Sequence, residues 1–109
     1  MVLYFKTLNT GSIANGSYAE EEWTPDRDIV IKKMMMNERT GTVGNNTQVY
    51  VAIADVPYTR DYVPAAVIGN TPEYCWKPEL RVAKGAKIYL KVMNNEGDAK
   101  NWDIVLEYE

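Results

Sequence analysis

Thr47-Gln48-Val49-Tyr50-Val51-Ala52-Ile53 alternates strictly, with Val49, Val51 and Ile53 on one side and Gln48, Tyr50 and Ala52 on the other. Successive strand side chains point to opposite faces, so this reads as a strand with one buried face. The pattern recurs in Ala86 to Met93, where Ile88, Leu90 and Val92 oppose Lys87, Tyr89 and Lys91. It recurs again at the C-terminus, where Trp102, Ile104, Leu106 and Tyr108 share a face. No comparable helical period appears anywhere in the chain.

Working outward, Val2 to Leu8 reads as a first strand, ended by a turn at Asn9-Thr10-Gly11-Ser12. Asn15-Gly16 is a second turn signal. Ser17 to Thr24 reads as a strand with Glu20 and Glu22 on one face and Ala19, Glu21 and Trp23 on the other. Asp28 to Glu38 is apolar on both faces, which implies cover on both sides or a bulge. The strand at Thr47 is expected to run on to Val56 and to end at Pro57. From Tyr58 to Pro78 the prolines disturb any period; one short element is expected near Ala65 to Ile68 and another strand near Glu73 to Trp76. Glu79 to Ala83 and a tight Lys84-Gly85 turn precede the strand at Ala86, and Asn94 to Asp98 reads as a loop. About eight short strands in 109 residues give an all-β fold: a two-sheet β-sandwich of jelly-roll or Greek-key type. The whole chain, residues 1–109, is read as a single domain.

Composition narrows the function. With no histidine and one cysteine, Cys75, the chain cannot build Ser-His-Asp or Cys-His catalysis, an intrachain disulfide or an ordinary zinc site. No glycine-rich phosphate loop occurs. Carboxylates at Glu20, Glu22, Asp26 and Asp28 could in principle supply an acid–base pair, but solvated acidic residues are the simpler reading, and the chain is expected not to be an enzyme. Asn94-Asn95-Glu96-Gly97-Asp98 collects oxygen ligands without the spacing of a calcium loop, so no metal or other cofactor is expected. The net charge of −3 argues against nucleic acid as a partner. No stretch approaches the ~18 apolar residues of a membrane helix. The N-terminus lacks the basic start of a signal peptide, so the chain is expected to be made as a soluble, leaderless protein.

What remains is surface. Eight tyrosines and three tryptophans stand against one phenylalanine, a bias that suits strand faces and interfaces. Tyr4 on the terminal strand, and Tyr58, Tyr62, Tyr74 and Trp76 in the irregular segment, are the candidate interface or ligand residues. A terminal strand can join a neighbour's sheet through main-chain hydrogen bonds, and exposed aromatics can receive sugar rings.

The turn and strand Trp23-Thr24-Pro25-Asp26-Arg27-Asp28-Ile29-Val30-Ile31, with the closing pair Lys84 to Val92 and Asp103 to Tyr108, resembles the small jelly-roll structural proteins of phages and archaeal viruses. The resemblance lies in layout and carries no specific site residue. It implies a capsid, head-decoration or surface-fibre subunit that assembles with itself or on a capsid or filament lattice, located on a virion or an extracellular assembly. A carbohydrate-binding or adhesion module is the alternative.

Overall fold

In the computed structural model, which describes residues 2–59 and 61–109, nine strands form two antiparallel sheets. Met1, at the start of the single domain read above, and Arg60, in the proline-rich segment, lie outside the described residues. The strands are β1 (Tyr4–Ile13), β2 (Tyr18–Trp23), β3 (Ile29–Glu38), β4 (Thr47–Ile53), β5 (Val56–Pro57), β6 (Val63–Pro64), β7 (Leu80–Val82), β8 (Ile88–Asn94) and β9 (Lys100–Tyr108), with a four-residue helix α1 (Ala65–Ile68) after β6. One sheet, here sheet A, has the order β1-β9-β3-β7. The other, sheet B, has the order β2-β8-β4-β5, with β6 also paired to β4. The chain crosses between sheets at nearly every step, which is the winding of a jelly-roll sandwich.

The alternation in the sequence becomes the core. Val49, Val51, Ile88, Leu90, Val92, Trp102, Ile104 and Leu106 all face inward and are essentially closed to solvent. Each such aliphatic side chain contributes roughly 1.5–3 kcal/mol by leaving water. Met34 and Met36 belong to this core, while Met35 pairs with Val105 on the outer face of sheet A. A register shift between Ile31 and Lys33 supplies the bulge that the two-sided apolar pattern of β3 called for.

Four local expectations are corrected. Asn9-Thr10-Gly11-Ser12 is a bulge within β1, not a turn: the register to β9 slips between Asn9 and Ser12 and then resumes. Gly11 takes φ +69° there, its amide donates to Asn9 Oδ1 at 2.9 Å, and the Trp102 amide donates to Thr10 Oγ1 at 3.1 Å. The strand expected to reach Val56 turns instead at Ala54-Asp55, both at positive φ (50° and 65°), and returns as β5. The sequence there lacks the glycine that usually marks such a hairpin. The strand expected near Glu73 to Trp76 is reduced to a single bridge between Trp76 and Met34. Asn94, read as loop, is the last residue of β8 and fully buried; its Nδ2 donates to the carbonyls of Ile13 and Asp98, and its Oδ1 accepts from the Glu96 amide. Among the described residues no helix is long and apolar enough to cross a membrane.

Candidate functional site

The five aromatic candidates do not converge. Tyr4 sits on β1 and stacks on Tyr108, with ring centroids 5.5 Å apart. Arg27 lies over the same ring at 4.9 Å. Trp23 on β2 packs against Tyr108 at 5.1 Å and receives Lys6 at 5.8 Å. These rings close the lip between the two sheets, where β1 and β2 run side by side.

Tyr58 and Trp76 line a separate cleft of about 540 Å³ under α1, together with Val67, Cys75 and Lys77. The Cys75 thiol there lies 3.7 Å from the Pro72 carbonyl. Tyr74 is not in that cleft and is 79% exposed. Tyr62 points to a third place, the outer face of sheet B.

Alternation in the sequence sets Lys87, Tyr89 and Lys91 on one strand face and Tyr50 on another, but does not bring the two together. Cross-strand register aligns Glu20 with Lys91 and Tyr50, and Glu22 with Tyr89 and Ala52. Tyr50 therefore meets Tyr89 edge-on at 6.1 Å, and Tyr62 comes over Tyr50 at 5.9 Å. The Tyr89 hydroxyl donates to Glu20 Oε2 at 2.9 Å. Burial first, and then this carboxylate, push the phenol pKa up to about 12. Lys91 Nζ lies 4.3 Å from the Tyr18 ring centre, and Lys87 pairs with Glu22 at 3.6 Å. The face is indented by two shallow depressions, of about 380 and 300 Å³, both lined by Tyr50 and Tyr89.

The sheet edges differ as sharply as the faces. The free edge of sheet B is β2, with Glu20, Glu21 and Glu22 in succession; its other margin, β5, is two residues long and contains Pro57. Sheet A ends on one side in the three-residue β7, which carries Arg81. Its other edge, β1, is ten residues long and pairs with β9 alone. Leading into and along β1, Val2, Leu3, Tyr4 and Phe5 are 62%, 44%, 43% and 62% exposed. The first charge, Lys6, is on the inward face, over Trp23.

Several other charged groups are tied up structurally. Lys32 pairs with Glu79 at 2.8 Å and Lys33 with Glu107 at 3.7 Å, so the basic doublet forms no open patch. Arg39 holds Asp103, and this hydrogen bond leads in keeping the Asp103 carboxyl below its ordinary range. Glu96 Oε2, in the oxygen-rich loop, accepts from the Asn46 amide and the Thr47 hydroxyl. Among the described residues no three His, Cys, Asp or Glu side chains are grouped to hold a metal. No protein-family model, curated protein or solved structure matches the chain.

Proposed function

We propose that this β-sandwich is a non-enzymatic structural subunit that associates with a second copy of itself through the open edge of β1, as a capsid, decoration or surface-filament component of a virion or extracellular assembly. The observation that carries the reading is the inequality of the edges. Exposed edge strands template unwanted pairing, and soluble proteins blunt them by shortness, charge, proline or bulges. Here β2, β5 and β7 are blunted in those ways, while the regular half of β1 carries one such device alone, the inward-pointing Lys6. From Tyr4 to Asn9 it offers main-chain groups that, among the described residues, meet no second strand, and its outward side chains, Phe5, Thr7 and Asn9, carry no charge. The Gly11 bulge limits the open stretch at its far end. Antiparallel pairing of β1 with its own copy is self-complementary and gives an isologous dimer.

The test places Lys at Phe5 and Thr7 together. Both side chains are exposed on the outer face of sheet A, so the fold is spared, and a lysine at position 5 faces Glu107 across the ladder. Light scattering on a size-exclusion column is expected to give a discrete oligomer for the native chain and a monomer of 12.4 kDa for Phe5→Lys/Thr7→Lys. A native chain that stays monomeric at all concentrations, or a variant that assembles unchanged, refutes the proposal.

A further inference from the structure

The tyrosine-lined face of sheet B takes no part in pairing through β1, and its chemistry calls for a different occupant. Outward positions of a solvated antiparallel sheet are ordinarily polar. Here Tyr18, Tyr50, Tyr62 and Tyr89, half of the tyrosines in the chain, gather on or beside three adjacent strands. Tyr50 and Tyr89 are only half-buried and line both depressions, so the two form one continuous trough rather than separate pits. Each volume sits at the lower end of the roughly 300–1,000 Å³ usual for small-molecule sites.

The rim is mixed. Glu22, Asp55 and Lys87 line one depression, and Asp61 and Lys91 the other. A polyanion would meet Glu20, Glu22, Asp55 and Asp61 against only two lysines, which excludes nucleic acid and sulfated chains. A purely apolar occupant would take those same carboxylates and lysines out of water with nothing to replace it, at a cost. A sugar ring satisfies both demands, because its C–H face rests on aromatic rings while its hydroxyls donate to carboxylates and accept from ammonium groups.

We infer that the outer face of the β2-β8-β4 sheet is a binding site for a neutral oligosaccharide, stacked on Tyr50, Tyr62 and Tyr89 and hydrogen-bonded by Asp55, Asp61 and Lys91. Two depressions sharing the same central rings fit at least two linked sugar units. The trough is open along its length, so it receives an internal stretch of a chain as readily as an end. The Tyr89 hydroxyl, held by Glu20, acts by fixing its ring rather than by contacting sugar.

The experiment is titration calorimetry of the full-length protein with short neutral oligosaccharides of glucose, mannose, galactose and xylose, chosen by a prior array screen. Tyr62→Ala lies outside the strands and leaves the sheet intact; Tyr50→Ala removes the central ring. Each is expected to weaken binding roughly tenfold, the scale of one aromatic contact, with the Tyr62 variant still folded and its melting lowered by only a few degrees. The Phe5→Lys/Thr7→Lys protein is expected to bind soluble sugar as the native chain does, because its substitutions lie on the other sheet. A blank array overturns the inference. Binding confined to sulfated or sialylated probes or to basic peptides also overturns it, as does binding that survives both tyrosine substitutions.

Discussion

Replacing Glu38 by glutamine probes a carboxylate that fastens three parts of the fold. Glu38 ends β3 and is 3% exposed. Its Oε1 accepts from the Thr40 amide at 2.7 Å, from the Thr42 amide at 3.3 Å and from the Thr40 hydroxyl, while Oε2 accepts from the Asn101 amide at 3.0 Å. Burial by itself would raise the pKa. The hydrogen bonds from Thr40, Asn101 and Thr42 outweigh it and lower the value from 4.5 to about 2. The folded state therefore prefers the anion, so the stabilisation is full above the unfolded value of 4.5 and is lost as pH falls through about 2. At roughly 1.4 kcal/mol per tenfold change this is on the order of 3 kcal/mol at most.

Glutamine keeps the shape but turns one acceptor into a donor. Whichever way the amide faces, N–H meets N–H on one side, at about 1–3 kcal/mol for a buried unsatisfied group. Glu38→Gln is expected to lose about 2–3 kcal/mol at neutral pH, or roughly 10–20 °C in Tm for a domain of this size. Urea unfolding followed by tryptophan fluorescence across a pH series measures it. The gap between the two proteins should narrow between pH 4.5 and about 2, where the native carboxyl also gains a proton. An unchanged gap at the acid end, or none at neutral pH, refutes the assignment of Glu38 as a buried anion.

Gly69 caps α1 at φ +87°, and a Cβ placed there would lie 2.0 Å from the Tyr74 carbonyl oxygen; Gly69→Ala is expected to cost about 3 kcal/mol or more in thermal unfolding. Asn94→Leu keeps the branching at Cγ, adds bulk at a fully buried position, and strips partners from the Ile13 and Asp98 carbonyls and the Glu96 amide. It should cost on the order of 3 kcal/mol and speed amide exchange in the loop that follows β8.

The strands with one buried face were legible because period-two alternation survives wherever one side is packed and the other wet. Punctuation was harder. Asn-Thr-Gly-Ser composes a turn and a bulge equally well, and only the resumption of pairing between β1 and β9 distinguishes them. Ala54-Asp55 gave little signal, since Asp55 tolerates positive φ but Ala54 does not advertise it. Four of the five candidate aromatics were sought in the irregular segment because loops so often carry function, and that choice captured Tyr62 while leaving Tyr50 and Tyr89 to the ordinary outer faces of their strands. Their outward direction was plain from alternation. Their proximity depended on the register of β4 against β8, which no local pattern encodes. Tyr4 could be placed on a terminal strand, but the openness of that edge emerges only when the other three edges are known.

The proposed pairing has a geometric consequence that joins the two surfaces. Antiparallel pairing of β1 with its copy extends sheet A across a two-fold axis perpendicular to that sheet. Such an axis keeps sheet B of both copies on the same side. Because β1 and β2 lie at the same margin of the sandwich, it also brings the two Glu20–Glu22 runs toward one another. In such a dimer the like charges of the two runs would oppose contact between the B sheets and so confine association to sheet A. Both tyrosine troughs would then face one way, and a glycan-bearing surface would meet two sites at once. A shallow site of a few aromatic contacts binds weakly alone, but the second contact becomes intramolecular and multiplies the first. Assembly through one sheet and recognition through the other are in this way compatible uses of the same small sandwich.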